Sequence, residues 1–208
     1  MNREALQHPL YVMVHPFNGY WDLKYERSQK TSLIISFGIL FMLILTNVLG
    51  DQYSGFLVNM NNPRYLNSLL EAVYVLVPVL FWCVANWSLT TLMDGEGKFV
   101  EIFITTCFAL LPIVLINFPW IWISNLISAQ ESSFYYFFKN FAFLWSGLLM
   151  YVGIMTVHQF SPSKTIGTIL LTLLAMAFMA FLTLLFFSLV QQMIAFVSTI
   201  YQEIVLRR

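Results

Sequence analysis

The sequence predicts an all-α integral membrane protein, a five-helix transmembrane bundle with a long C-terminal helix. Three observations predict it. Of 208 residues, 59% are hydrophobic and only 10% charged, with a mean hydropathy of +0.75, whereas an ordinary soluble domain carries about 25% charged residues. A window of about 19 residues finds five apolar stretches able to cross a hydrocarbon core of roughly 30 Å. The cores of all five are free of Asp, Glu, Lys, Arg and His. Each stretch reads as a helix, because backbone facing lipid must satisfy its own polar groups and five such segments cannot close a barrel.

The chain divides into an interfacial N-terminal segment (1–30), a five-span membrane domain (31–190) and an amphipathic helical extension (191–208). The first segment has no apolar run of signal-peptide type, so it is expected to stay with the protein. Its Tyr11, Phe17, Tyr20, Trp21 and Tyr25 lie beside Lys24, Arg27 and Lys30, as in a stretch lying on the membrane with its rings among the headgroups.

The spans are expected near 31–50, 71–93, 100–127, 135–157 and from 165 onward. In the second, Pro78, Trp82, Asn86 and Thr90 recur every four residues and share the face that should look into the bundle. The third carries Pro112 and Pro119, about two turns apart, and should bend. No Pro interrupts the chain from Lys164 to Arg208. After Gln191 and Gln192 the apolar Ile194, Val197, Ile200, Tyr201, Ile204 and Val205 recur at helical spacing, the mark of an extension lying in the interface or against a partner.

The two cysteines, Cys83 and Cys107, fall in separate spans and are not expected to pair. Polar residues within the spans, among them Asn47, Asn86, Asn117, Thr172 and Thr183, are uncharged and are expected to join helices by hydrogen bonds. Small residues at Ser146, Gly147, Gly153, Ala175 and Ala180 are expected at helix contacts. An uncharged midplane argues against ion-coupled transport and against intramembrane proteolysis by paired aspartates or a metal. Equal numbers of acidic and basic residues, ten of each, leave no field to hold a nucleic acid.

With the N-terminus inside, cytoplasmic segments hold Arg3, Lys24, Arg27, Lys30, Lys98 and Lys164, and the outer loops hold Arg64 and Lys139. This bias favours a cytoplasmic N-terminus. Arg207 and Arg208 oppose it, and the side of the tail stays open. Three unusual segments then share one side: HPFNGYWDLKYER (15–27), MDGEGK (93–98) and HQFSPSK (158–164).

In MDGEGK, Gly95 and Gly97 are expected to take positive φ and end the second span sharply. Glu96 and Glu101 lie near the start of the third, where the helix dipole favours an anion. Asp94, at the end of the second, needs a cation, and Lys24, Arg27 or Lys30 is the expected partner of this acidic turn. Three acids in a tight turn offer a hard metal too few ligands. GEGK lacks the spacing and the Ser/Thr of a phosphate loop.

The order HPFNGYWDLKYER, then a span ending WCVANWSLTTLMDGEGKF, one containing ALLPIVL, then HQFSPSKTI and a long helix closing FVSTIYQEIVLRR resembles the bacterial branch of the Yip domain family, the Ypt/Rab-interacting membrane proteins. The resemblance covers nearly the whole chain and is most specific over 15–27 and 82–99. It implies five spans, a cytoplasmic N-terminus and no established enzymatic activity. Eukaryotic relatives bind small GTPases through an Asp-Leu-Tyr-Gly-Pro motif. Here Asp22-Leu23-Lys24-Tyr25 departs from it, so GTPase binding does not carry over. Some similar proteins are encoded beside permeases of carbohydrate ABC importers, which implies a permease as partner.

Residues and resemblance together lead to the expectation of a non-enzymatic accessory protein of the bacterial inner membrane, with no cofactor and no metal. Its partners are the lipid bilayer and another integral membrane protein, and a homo-oligomer stays open. The residues expected to hold the bundle and present a surface are Trp21, Asp22, Lys24, Arg27, Asn86, Trp87, Asp94, Gly95, Glu96, Gly97 and His158. Two rivals have structural signatures. A transporter or channel subunit would line one space with Asn86, Asn117 and Thr172, and an enzyme would gather His15, Asp94, Glu96 and His158.

Overall fold

The computed structural model describes residues 3–59 and 66–206. Among these, the chain forms α1 (Arg3–Val14), α2 (Pro16–Tyr25), α3 (Gln29–Tyr53), α4 (Ser68–Leu92), α5 (Phe99–Ala109), α6 (Leu111–Ile123), α7 (Ser132–His158) and α8 (Pro162–Leu206). There is no strand among them. Five helical stretches are long and apolar enough to cross a membrane: α3, α4, α5 with α6, α7, and α8. Arg64, Arg207 and Arg208, which entered the charge count above, lie outside the described residues.

The third span breaks where its first proline requires. Pro112 has no N–H and its ring crowds the carbonyl one turn back, so the helix tightens at Leu110, whose N–H is shared between the carbonyls of Thr106 and Cys107 at 3.2 Å each. Pro119 lies inside α6 without ending it. The third span is thus two helices, α5 and α6, joined at Leu110. α5 is the central helix, with every residue from Ile102 to Ala109 buried. It packs against α3, α4 and α7 and touches α1.

α7 presents Ala142, Ser146, Leu149, Val152, Gly153 and Val157 to the bundle, a face spaced three and four residues apart. Gly153 is the closest approach in it, because a Cβ there would lie against Thr105 Cγ2 and 3.1 Å from Tyr20 Cζ. Gly147, expected at a contact, instead has nothing within 4 Å of a Cβ position. It faces outward because it lies one position past Ser146, roughly 100° round the helix. Cys83 and Cys107 are buried and unpaired.

The N-terminal segment is more than a surface anchor. Phe17, Trp21 and Tyr25 are exposed, as rings in a headgroup layer would be, but Val12, Tyr20 and Leu23 join Ile39, Ile104, Phe108 and Val152 in the core. Gly19 makes this fit, since α1 comes so close that a Cβ would lie 2.7 Å from the Val12 backbone. At the other end of the chain, α8 runs unbroken for 45 residues. Only Thr165, Thr168 and Thr172 are buried in it, and they pack mainly on α4. Small hydroxylated residues of this kind let two helices come close in lipid.

Candidate functional site

Four helix ends meet on one face of the bundle: the ends of α2, α4 and α7 and the start of α8, with the turn 93–98 between them. The ends of α4 and α7 are built alike. Each finishes in a residue with left-handed backbone, Asp94 at φ 57° and Gln159 at φ 56°. Each is closed by a six-to-one hydrogen bond, Gly95 N–H to the Thr90 carbonyl at 2.8 Å and Phe160 N–H to the Met155 carbonyl at 3.1 Å. This corrects the expectation for the glycines. No glycine takes positive φ among the described residues; the left-handed position belongs to Asp94, a residue type that tolerates it.

Gly95 and Gly97 serve instead for close approach. A Cβ on Gly95 would lie 2.6 Å from His158 Nδ1, and one on Gly97 would lie 2.6 Å from both His158 Cε1 and Val157 Cγ1. The turn is thereby pressed onto the His158 ring. Gly97 N–H donates to His158 Nδ1 at 3.3 Å, which assigns the ring proton to Nε2. Nε2 donates to Asn86 Oδ1 at 3.2 Å, and Asn86 Nδ2 donates to Thr172 Oγ1 at 3.2 Å. The Thr172 hydroxyl then donates to the Thr168 carbonyl at 2.7 Å. Asn86, His158 and Thr172 are all buried, so this one-directional chain satisfies groups that would be costly in lipid if left alone.

Two lysines close the face from the water side. Lys24 Nζ donates to Glu96 Oε2 at 3.0 Å and to the Val157 carbonyl at 2.8 Å. Burial opposes the charged form of Lys24, but its hydrogen bonds to Glu96 and Tyr25 and their charges together outweigh it and hold the ammonium above its ordinary range. Lys164 Nζ donates to the Met93 carbonyl at 2.7 Å and lies 4.1 Å from the centre of the Phe160 ring. Each lysine thus meets an orphan carbonyl at a helix C-terminus, where the dipole favours a cation. At the start of α5, the Glu101 carboxylate accepts from Lys98 N–H at 3.0 Å.

Of the residues singled out by sequence, Lys24, Asn86, Gly95, Glu96, Gly97 and His158 come together here. The acidic partner of Lys24 is Glu96. Asp94 is exposed at the turn; of the cations expected to meet it, Lys24 pairs with Glu96 instead, while Lys164 reaches the neighbouring Met93 carbonyl. Trp21 is exposed with its ring 4.5 Å from that of Tyr25. Asp22 is half-buried, and its carbonyl accepts from Glu26 and Arg27 N–H at 2.9 Å each. Trp87 meets Phe99 edge-on at 6.1 Å. Thr172 joins α8 to α4 by a hydrogen bond as expected; sequence reasoning missed the role of Lys164 and of Thr165 and Thr168, which share the helical face of Thr172.

The rivals' signatures are not assembled. His15 stacks on Tyr11 at 5.1 Å, and no group of three His, Cys, Asp or Glu side chains able to hold a metal occurs among the described residues. Asn86 does meet Thr172, but Asn117 lines a separate cleft at the opposite end of the bundle. Chemically the site fastens: Lys24, Lys164, His158 and Asn86 each engage a different segment of the same chain.

The Yip1 domain family profile matches residues 10–185. No curated protein and no solved structure matches the chain. The matched region contains every residue of the junction, from Lys24 through the glycine turn to Thr172, as well as all of α2 to α7, and it spans far more than half of the sequence. This chain therefore belongs to the Yip1 domain family, a family of non-catalytic membrane domains.

Proposed function

We propose that the chain is a non-enzymatic accessory protein that binds another integral membrane protein through α8. The state of α8 carries this reading. Exposed apolar side chains need no cover where lipid surrounds them, so exposure within one bilayer thickness decides nothing. A helix of 45 residues, however, runs about 67 Å, roughly twice a hydrocarbon core. Every described side chain from Gln191 to Leu206 is exposed, and Ile194, Phe196, Val197, Ile200 and Ile204 are among them. Such a surface calls for an interface or a partner, and no other segment among the described residues supplies one.

The finer parts of the reading are a cytoplasmic N-terminus, a bacterial inner membrane and a carbohydrate ABC importer permease as partner. The lysine and arginine bias supports the first, and the family resemblance supports the others. The test is site-specific photo-crosslinking in native membranes from Phe187 and Phe196, with Gly38 as a control position on α3. One dominant membrane partner should be recovered from the α8 positions, and truncation after Gln192 should weaken its recovery with the helical content of the rest retained. Crosslinks only to lipid, or only to a second copy of the chain, would overturn the proposal.

A further inference from the structure

At the end of the bundle opposite the Lys24–Glu96 junction, the helices do not close. α3 packs on both α4 and α6, and α6 on α7, but α4 makes at most marginal contact with α6 and α7. The gap is a half-open cleft of about 700 Å³, within the size range of small-ligand sites. Its walls are apolar where Leu43, Val79, Ile113 and Phe143 line them, and its polar lining comes from Asn47, Asp51, Asn117 and Lys139.

Charges of opposite sign come from different walls. Asp51 belongs to α3 and its side chain meets that of Glu71 on α4, whose Oε2 accepts from Asn47 Nδ2 at 3.1 Å. Lys139 belongs to α7, and its ammonium lies 5.9 Å from the centre of the Tyr135 ring. An anion alone would meet the carboxyl pair, and a cation alone would meet Lys139. A molecule with both charges and an apolar body suits the whole cleft.

We propose that this cleft binds one zwitterionic glycerophospholipid from the adjoining leaflet. Its phosphate lies toward Lys139, its ammonium group toward Asp51 and Glu71, and its glycerol and upper acyl carbons against Val79 and Ile113. α4 and α7 make at most marginal contact with each other along the cleft, which leaves a lipid room to enter between them.

Native mass spectrometry of the full chain, delipidated and then given an equimolar mixture of palmitoyl-oleoyl phosphatidylethanolamine and phosphatidylglycerol, tests this. One phosphatidylethanolamine should be retained in preference. Lys139→Gln should lower its retention about tenfold, the size of one lost charge-assisted hydrogen bond. Gly50→Leu fills the cleft from a position whose Cβ would have Ile121 at 4.0 Å as its nearest neighbour, and it should lower retention without loss of fold. Gly147→Leu, on the open face of α7, should leave retention unchanged. Equal retention of both lipids, preference for phosphatidylglycerol, or retention unchanged in Gly50→Leu would each overturn the proposal. Displacement of the lipid by free phosphoethanolamine would also overturn it, moving the ligand from the bilayer to the water.

Discussion

The Lys24 ammonium caps the Val157 carbonyl at 2.8 Å, so a residue of the N-terminal segment closes the last turn of a helix 133 positions away in sequence. The same ammonium holds Glu96 at 3.0 Å, with side-chain exposure of 8% at Lys24 and 61% at Glu96. The asymmetry decides which contact matters. An ion pair with an exposed partner is worth about 0–1 kcal/mol, whereas an orphaned carbonyl away from water costs about 1–3 kcal/mol.

Lys24→Met should therefore destabilise the protein in detergent by about 1–3 kcal/mol, and Glu96→Gln by no more than about 1 kcal/mol. Chemical denaturation of both variants and of the double variant checks it. A Glu96→Gln loss as large as that of Lys24→Met would show that the ion pair, not the carbonyl cap, dominates.

Gly97→Ala should cost about 1–3 kcal/mol, because its Cβ would lie 2.6 Å from both His158 Cε1 and Val157 Cγ1 and push the turn off the ring. Gly147→Ala should be neutral or stabilising by up to about 1 kcal/mol, since nothing lies within 4 Å of the added atom. Thermal unfolding of the two variants side by side gives the comparison, and equal effects would refute the close-approach role of Gly97.

Asn86→Leu strands both the His158 Nε2 proton and the Thr172 hydroxyl oxygen, and should cost about 1–3 kcal/mol. Adding His158→Phe removes one stranded group and should recover part of that loss, a coupling of opposite sign to the single effects. Membrane hydrogen bonds average only about 0.6 kcal/mol, so additivity in this cycle would mean that the buried chain contributes no more than such a bond.

His8 gives a pH dependence. Its ring is buried with neither nitrogen hydrogen-bonded, near Tyr11 and Phe108. Burial first, and repulsion from Arg27 second, lower its pKa from the ordinary 6.5 to about 4, against the opposing pull of Asp22. The unfolded chain then binds a proton that the folded chain refuses. Stability is full above pH 6.5 and falls as pH drops toward about 4, by on the order of 2–3 kcal/mol. His8→Phe should flatten this part of the profile, measured by urea denaturation across that range.

Topology is testable with single cysteines. An impermeant thiol reagent applied to sealed cells should label a cysteine at Ser54 and spare one at Ser161, as the lysine and arginine bias requires. The reverse pattern would invert the proposed orientation.

The sequence by itself determined what depends on composition and local period. Apolar runs placed the membrane helices to within a few residues, because each must be long enough to cross lipid and must end in polar residues. Pro112 announced the break between α5 and α6, since a missing N–H acts within one turn. Residue type alone also marked Asn86, Glu96 and His158, because such groups are costly in an apolar chain and must be engaged. Only the tertiary structure decided their partners. Lys24 and Glu96 are 72 positions apart and His158 and Asn86 likewise, and nothing local selects Lys24 over Arg27 or Lys30. The glycines of the turn show the same division. Their small size was legible, but whether it served backbone freedom or close approach depended on which side chain the rest of the fold pressed against them, and that was His158.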